Sequence, residues 1–249
     1  MSWSMRRSRA CGRLLVAATI AALIGCGREE DAALRSEPEP TLLRGPSGWY
    51  GSEVPDPKPL PTVRLVGADN RPFDLAAERG RVVLFFLGYT QCPDICPVTL
   101  AQWARVRRAL GPDSARVRFV FISIDPERDT PEIVERYAHQ FDPAIVGLTG
   151  RRTEIDAVQR EFGVTSFAEA PQPSDTGAGT AALHRGHHAH GAADSASAPA
   201  SGAGAYTVAH PSRVFVVDQR GQWRLSLPAN AGVKATVRDV RRLLAENGE

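Results

Sequence analysis

Arg81-Val-Val-Leu-Phe-Phe-Leu-Gly88-Tyr-Thr-Gln-Cys92-Pro-Asp-Ile-Cys96-Pro97 joins an unbroken apolar run to two cysteines with three residues between them. A short apolar run without alternation predicts a strand over 81–88 buried on both faces, as inside a parallel sheet. Proline disfavours helical backbone in the residue before it, so Cys96 is expected to be extended and Pro97 to open a helix. Cys96 then becomes an N-cap whose thiol sits at the positive end of the helix, where a cysteine pKa falls.

Outward from this stretch the elements alternate. Leu100, Trp103, Val106 and Leu110 recur at helical spacing and give one apolar face. Val117 to Ile124 predicts a second buried strand. Thr130 as N-cap and Pro131 at the first helical position predict another helix carrying Ile133, Val134, Tyr137 and Phe141. A short strand over 145–149 and a helix over Thr153 to Phe162, stopped by Gly163, come next. Arg213 to Asp218 and Gln222 to Leu227 flank a turn and make a terminal hairpin, followed by a helix with Val233, Val237, Val240 and Leu243. Upstream, Thr62 to Val66, a turn at Gly67 to Arg71, and Pro72 to Leu75 predict an N-terminal hairpin. The implied class is α/β, with a mixed central sheet, helices on both faces and that hairpin in front.

The 249 residues suit one domain, 62–249, once three segments are set apart. Arg6, Arg7, Arg9 and Arg13 precede an 11-residue apolar run, Leu14 to Ile24, and the sequence Leu23-Ile24-Gly25-Cys26 closes it. This is an export-leader pattern over 1–25, too short for an uncleaved span of about 20 residues. Its end resembles a bacterial lipobox, which makes Cys26 the expected lipidated first residue. Residues 26–61 are charged and then proline-rich and read as a tether. Residues 168–205 are rich in Ala, Gly, Ser and Pro and read as a disordered insertion within the domain. Without residues 1–25 the balance of 30 basic to 28 acidic groups becomes 26 to 28. The basic character thus belongs largely to the leader, and no clustered basic face for nucleic acid remains.

Of the four cysteines, Cys11 and Cys26 fall in or at the end of the leader, which leaves Cys92 and Cys96 for chemistry. Their spacing permits a disulfide, reversible as in a redox pair or fixed as a staple. It also matches half of a structural zinc site, although the mature chain has no second cysteine pair to complete one. Two soft thiolates with few other ligands suit Cu(I), and an added imidazole would let the site also hold Cu(II). His210, in Tyr206-Thr-Val-Ala-His210-Pro211, is the candidate for that imidazole. A lone histidine before a proline is otherwise a surface or structural residue.

The run Gly88-Tyr-Thr-Gln-Cys92-Pro-Asp-Ile-Cys96-Pro97, followed by Ser123-Ile-Asp125-Pro126-Glu-Arg-Asp129-Thr130, resembles the Sco/SenC family of copper-binding thioredoxin-like proteins. The resemblance covers about residues 60 to 246, interrupted by the insertion. It implies a thioredoxin-like fold and a copper site of Cys92, Cys96 and His210. It also implies a role in assembling the dinuclear copper centre of cytochrome c oxidase, as copper carrier, as reductant of its cysteines, or both. The family commonly has an acidic residue before this histidine, where this chain has Ala209.

Asp125 and Asp129 follow a strand and precede a helix, which suits turn and capping chemistry or support of the cysteine loop. His184, His187, His188 and His190 form a tract in the insertion, either a low-complexity feature or an auxiliary copper site. His139 reads as a surface residue. The expected partners are the copper-centre subunit of the oxidase, a periplasmic thiol reductant or copper donor, and a membrane reached through the lipid anchor. The expected place is the bacterial cell envelope, in the periplasm or on the outer face of the cytoplasmic membrane. A metallochaperone is favoured over an enzyme, because a thioredoxin-type oxidoreductase usually separates its cysteines by two residues. A periplasmic thiol-disulfide oxidoreductase or a redox or copper sensor using the same pair is the alternative.

Overall fold

The computed structural model describes residues 34–38, 44–59, 64–169, 207–209 and 212–246. The leader, Cys26, the histidine tract from His184 to His190, and His210 lie outside the described residues.

Two strands with no polar face set the architecture. β4 (Val82–Gly88) and β5 (Val117–Ser123) pair in parallel, and β6 (Ile145–Leu148) adds to β5 in the same direction. β9 (Arg213–Val217) lies antiparallel on the other side of β4, followed by β10 (Gln222–Pro228) and β1 (Ser52–Pro59). The six-stranded order is β1-β10-β9-β4-β5-β6. β4 sits inside it and is buried along its whole length, which explains the absence of alternation in its sequence.

Successive residues of β4 feed two cores, as the two-residue period of a strand requires. Val82, Leu84 and Phe86 pack with α1 (Ile95–Leu110), α2 (Pro131–His139) and α4 (Val233–Glu246). Val83, Phe85 and Leu87 pack with α3 (Arg152–Glu161) and with Leu65 of the hairpin formed by β2 (Arg64–Val66) and β3 (Pro72–Asp74). Helices therefore cover both faces of a mixed sheet, as the sequence predicts. A two-stranded ribbon, β7 (Phe167–Glu169) with β8 (Thr207–Ala209), stands beside the main sheet. It reaches two residues into the stretch expected to be a disordered insertion. No helix among the described residues is long and apolar enough to cross a membrane.

The expected tether over 26–61 needs correction at its C-terminal end. Residues 52–59 form β1 on the sheet edge, paired with β10 across an irregularity between Glu53 and Lys58. An edge strand leaves one row of N–H groups unpaired, so Pro55, Pro57 and Pro59 are tolerated there. Proline content made this segment look structureless. Just before it, Trp49 is 2% exposed in the helix-side core, with the Arg242 guanidinium 3.9 Å from its ring centroid. The buried Asp239 carboxylate accepts hydrogen bonds from the Tyr50 and Gly51 amides at 3.1 and 2.8 Å and fixes the entry to β1.

Trp49→Ala is expected to destabilise the domain by about 3–5 kcal/mol, the usual loss for emptying a buried aromatic site. Urea unfolding of the variant checks this. A loss under about 1 kcal/mol would mean that the segment before β1 lies outside the cooperative core.

Candidate functional site

The parallel strands β4 and β5 end side by side, with Gly88 opposite Ser123. The segments that follow them, 89–94 and 124–130, therefore leave the sheet at the same edge. That edge is where α/β sheets carry their sites. The Ile124 amide donates to the Gly88 carbonyl at 2.8 Å and holds the two exits together.

α1 begins at Ile95 with Asp94 as its N-cap, earlier than expected. A proline is tolerated in a first helical turn because its missing N–H has no partner there, so Pro97 does not delay the helix. Cys96 thus lies inside the helix rather than capping it. Its side chain is fully buried against β4. A Cβ on Gly88 would stand 2.7 Å from both Cys96 Sγ and Phe121 Cε2, so only glycine lets the sulfur lie this close to the strand. Cys92 is half-buried in the preceding loop and touches both cores.

The two thiols are reduced and hydrogen-bonded to each other. That hydrogen bond, burial and the neighbouring Cys92 push the Cys96 pKa up, and the Asp129 carboxylate adds to the rise. The expected lowering is corrected by this geometry. A thiol inside the first turn is bonded to Cys92 and pressed under the sheet, and both the bond and the lost solvation favour its protonated form.

One carboxylate ties the loops together. Asp129, 1% exposed, accepts from the Thr90 amide at 2.9 Å, from Thr90 Oγ1 at 2.5 Å and from Ser123 Oγ at 2.5 Å. Asp125, also buried, binds Arg128 Nε at 2.5 Å, and Arg128 Nη1 donates to Gln91 Oε1 at 3.1 Å. Both acids flagged in the sequence therefore act on residues immediately before Cys92. Thr90, Ser123, Arg128 and Gln91 were not singled out by sequence reasoning. The run from Ser123 to Thr130 signalled a turn and a cap, and the cap is real, since Thr130 Oγ1 accepts from the Ile133 amide at 3.4 Å.

Tyr89, buried, has its ring 5.8 Å from the Arg128 guanidinium. Its hydroxyl is hydrogen-bonded to the Val208 backbone, two residues before His210. β9 reaches β4 at Val214 opposite Phe86, so the chain entering β9 arrives at the strand end from which the cysteine loop springs. His139 is exposed on α2, as expected. Among the described residues no group of three or more His, Cys, Asp and Glu side chains is placed to share a metal ion.

The arrangement can do two things chemically. A half-exposed thiol beside a buried one can exchange with an external disulfide, and the pair, once deprotonated, can grip a soft metal ion.

Known proteins share this fold. The family model described as SCO1/SenC matches residues 61–186. The apo Sco1 protein of Thermus thermophilus superposes with a TM-score of 0.59 at 32% identity, over 80% of this chain and 96% of its own. ScoI of Bradyrhizobium japonicum with copper bound gives 0.57 at 27%, over 74% and 98%. The human mitochondrial SCO1 homologue is 40% identical over 101 residues, which is 39% of this chain and 32% of that protein. The chain spans about half or less of the length of the curated relatives it matches.

Gly88→Ala is expected to destabilise the protein by about 1–3 kcal/mol through overpacking at Cys96 and Phe121, measured by thermal unfolding. A second expectation concerns pH. Because the folded Cys96 pKa lies above the unfolded value of about 8.5, the stability it contributes is complete below that value. It is lost progressively as pH rises above the unfolded value towards the folded one. The urea midpoint of the reduced, metal-free protein should accordingly fall between about pH 8 and pH 10 relative to that of the Cys92–Cys96 disulfide form. Parallel midpoints for the two forms would contradict it.

Proposed function

This chain belongs to the SCO1/SenC family, and from that footing we propose that it binds copper through Cys92 and Cys96 in the assembly of a respiratory cytochrome c oxidase. The observation that carries the reading is the reduced, mutually hydrogen-bonded thiol pair held at the sheet edge by Gly88 and Asp129. Two adjacent soft donors suit Cu(I), and copper is here the cargo.

His210 completes the proposed ligand set. Support comes from its neighbours, since Val208 is bonded to Tyr89 and β9 begins beside the end of β4. Asp129 and Asp125 serve the proposed site by fixing Thr90 and Gln91, and with them the cysteine loop. The leader pattern makes Cys26 the proposed lipid anchor to the membrane, with the domain in the periplasm or on the outer face of the cytoplasmic membrane. The His184 to His190 tract is proposed as an auxiliary copper site only.

A second reading uses the same pair as a thiol reductant of the oxidase copper-centre cysteines. The specific observation in its favour is the asymmetry of the pair. Cys92 is half-exposed and can attack, whereas Cys96 is buried and can resolve the mixed disulfide. The Cys92–Cys96 disulfide would form as the target disulfide is reduced, with two electrons passing outward.

Anaerobic copper titration of the reduced protein tests the first reading. One equivalent should bind, and Cys92→Ser or Cys96→Ser should abolish the thiolate-to-Cu(II) charge-transfer absorption. His210→Ala should weaken Cu(II) retention while sparing disulfide exchange. Unchanged stoichiometry and absorption in both cysteine variants would sink the site. Assembly of active oxidase by His210→Ala cells at limiting copper would give precedence to the reductant reading.

A further inference from the structure

α1 and α4 differ in charge from the other two helices. α1 carries three arginines and no acidic residue, and α4 carries Lys234 and three arginines against Asp239 and Glu246. Asp239 is buried and holds the Tyr50 and Gly51 amides, so its charge is turned inward. In contrast, α2 sets Glu132 and Glu135 against one arginine, and α3 sets Glu154, Asp156 and Glu161 against two. α1 and α4 pack side by side, with the Gly232 amide donating to Gln102 Oε1 at 3.3 Å and Arg241 Nη2 to the Ala109 carbonyl at 3.1 Å. Their exposed arginines, Arg105 and Arg108 from α1 and Arg238 and Arg242 from α4, therefore form one basic surface. Arg108 has no ion pair among the described residues, and Arg238 donates to the Tyr50 hydroxyl at 2.6 Å rather than to a carboxylate.

The chain upstream of β1 is fastened to this same side. Leu34 packs against the helix-side core, and the Glu37 carboxylate accepts from Arg105 Nε at 3.0 Å. Eight residues separate Cys26 from Leu34. A chain of that length spans at most about 29 Å in any conformation. A lipid on Cys26 would thus hold the α1–α4 side of the domain next to the bilayer. Arginines in a last helical turn complement the helix dipole, but Arg105 and Arg238 stand more than a turn before the ends of their helices, so the dipole does not account for them.

We propose that the arginine surface of α1 and α4 is a docking face for an anionic phospholipid bilayer, with headgroup phosphates as its ligands. The inference rests on the reading of Cys26 as the lipid anchor, which supplies proximity, whereas the arginines supply orientation. Guanidinium groups match phosphate through paired donors, and basic side chains close to an anionic leaflet are drawn to it. An acidic protein would meet the same charges, but the short leash favours the bilayer. Cys96 and Arg108 are twelve residues apart on α1, roughly 18 Å along its axis, so contacts at the arginine end leave the cysteine loop at the other end open to a partner.

The test places the full chain, isolated with its native N-terminus, in preformed vesicles of phosphatidylcholine alone or with added phosphatidylglycerol, and labels its arginines with phenylglyoxal at low salt. Arg108 and Arg238 should react several-fold more slowly in the phosphatidylglycerol vesicles. Arg160, exposed on α3 across the sheet, should react equally in both. Raising the salt should remove the difference, because surface charge is screened. Arg108→Glu combined with Arg238→Glu should bring the labelling of Arg105 in phosphatidylglycerol vesicles back to its rate in phosphatidylcholine. Equal labelling of Arg108 and Arg238 in the two vesicles, or matching protection of Arg160, would overturn the proposal. So would protection that requires native membrane proteins, which would assign the face to an acidic partner. Release of the chain from pure phosphatidylcholine vesicles would refute the anchor, and labelling with an excess of phosphatidylglycerol vesicles would still decide the surface.

Discussion

The site depends on one buried carboxylate shared between two loops. Asp129 takes hydrogen bonds from both the amide and the hydroxyl of Thr90 and from Ser123 Oγ, so the exits of β4 and β5 are held at a fixed separation. Parallel pairing brings those exits to one edge but does not set the path of the chain beyond them. With Asp129 in place the loop must turn at Gln91, and Cys92 is delivered over the first turn of α1. Leaving any of these donors unmatched in the core would carry its full desolvation penalty, on the order of 1–3 kcal/mol each. The cysteine loop therefore has a single low-energy course, even though its own residues make few regular hydrogen bonds.

The same carboxylate shapes the chemistry of the sulfurs. Its charge adds to burial and to the Cys92 hydrogen bond in holding the proton on Cys96. On the proposed reading, a metal arriving at the pair must displace that proton, so binding and deprotonation would be a single coupled event and affinity would rise with pH. Resting thiols kept neutral are also poor nucleophiles toward oxidants, because the thiolate is the reactive form. Storage and readiness thus pull in opposite directions.

Much of this was legible in the sequence. The buried strands declared themselves through unbroken apolar runs, and α1 through the spacing of Leu100, Trp103, Val106 and Leu110. Thr130 and Pro131 marked the start of α2 one residue apart, as capping chemistry dictates. The failures have physical causes. β1 was hidden because proline content signals an edge strand and a tether equally well, and the pairing that separates them lies more than 160 residues away along the chain. The Cys96 pKa was misjudged because a local rule about helix ends ignored the sheet that closes over the sulfur. Thr90 and Ser123 carried no signal, since a hydroxyl acquires a role only when a distant carboxylate is brought to it.

The β7–β8 ribbon ties the segment before His210 to the cysteine loop. The chain departs at Glu169 and returns at Thr207, and these two residues are paired, so the segment between them is closed at its base. Closure entropy grows only with the logarithm of loop length, so the number of residues between the two strands has little effect on the domain. The ribbon itself is another matter. Val208 is buried in the second core and bonded to the Tyr89 hydroxyl, and Tyr89 stands three residues before Cys92. A change in the number of residues between Glu169 and Thr207 leaves that pairing available, whereas a shift of one residue in the ribbon would take Val208 off its buried face and move its anchor on the cysteine loop.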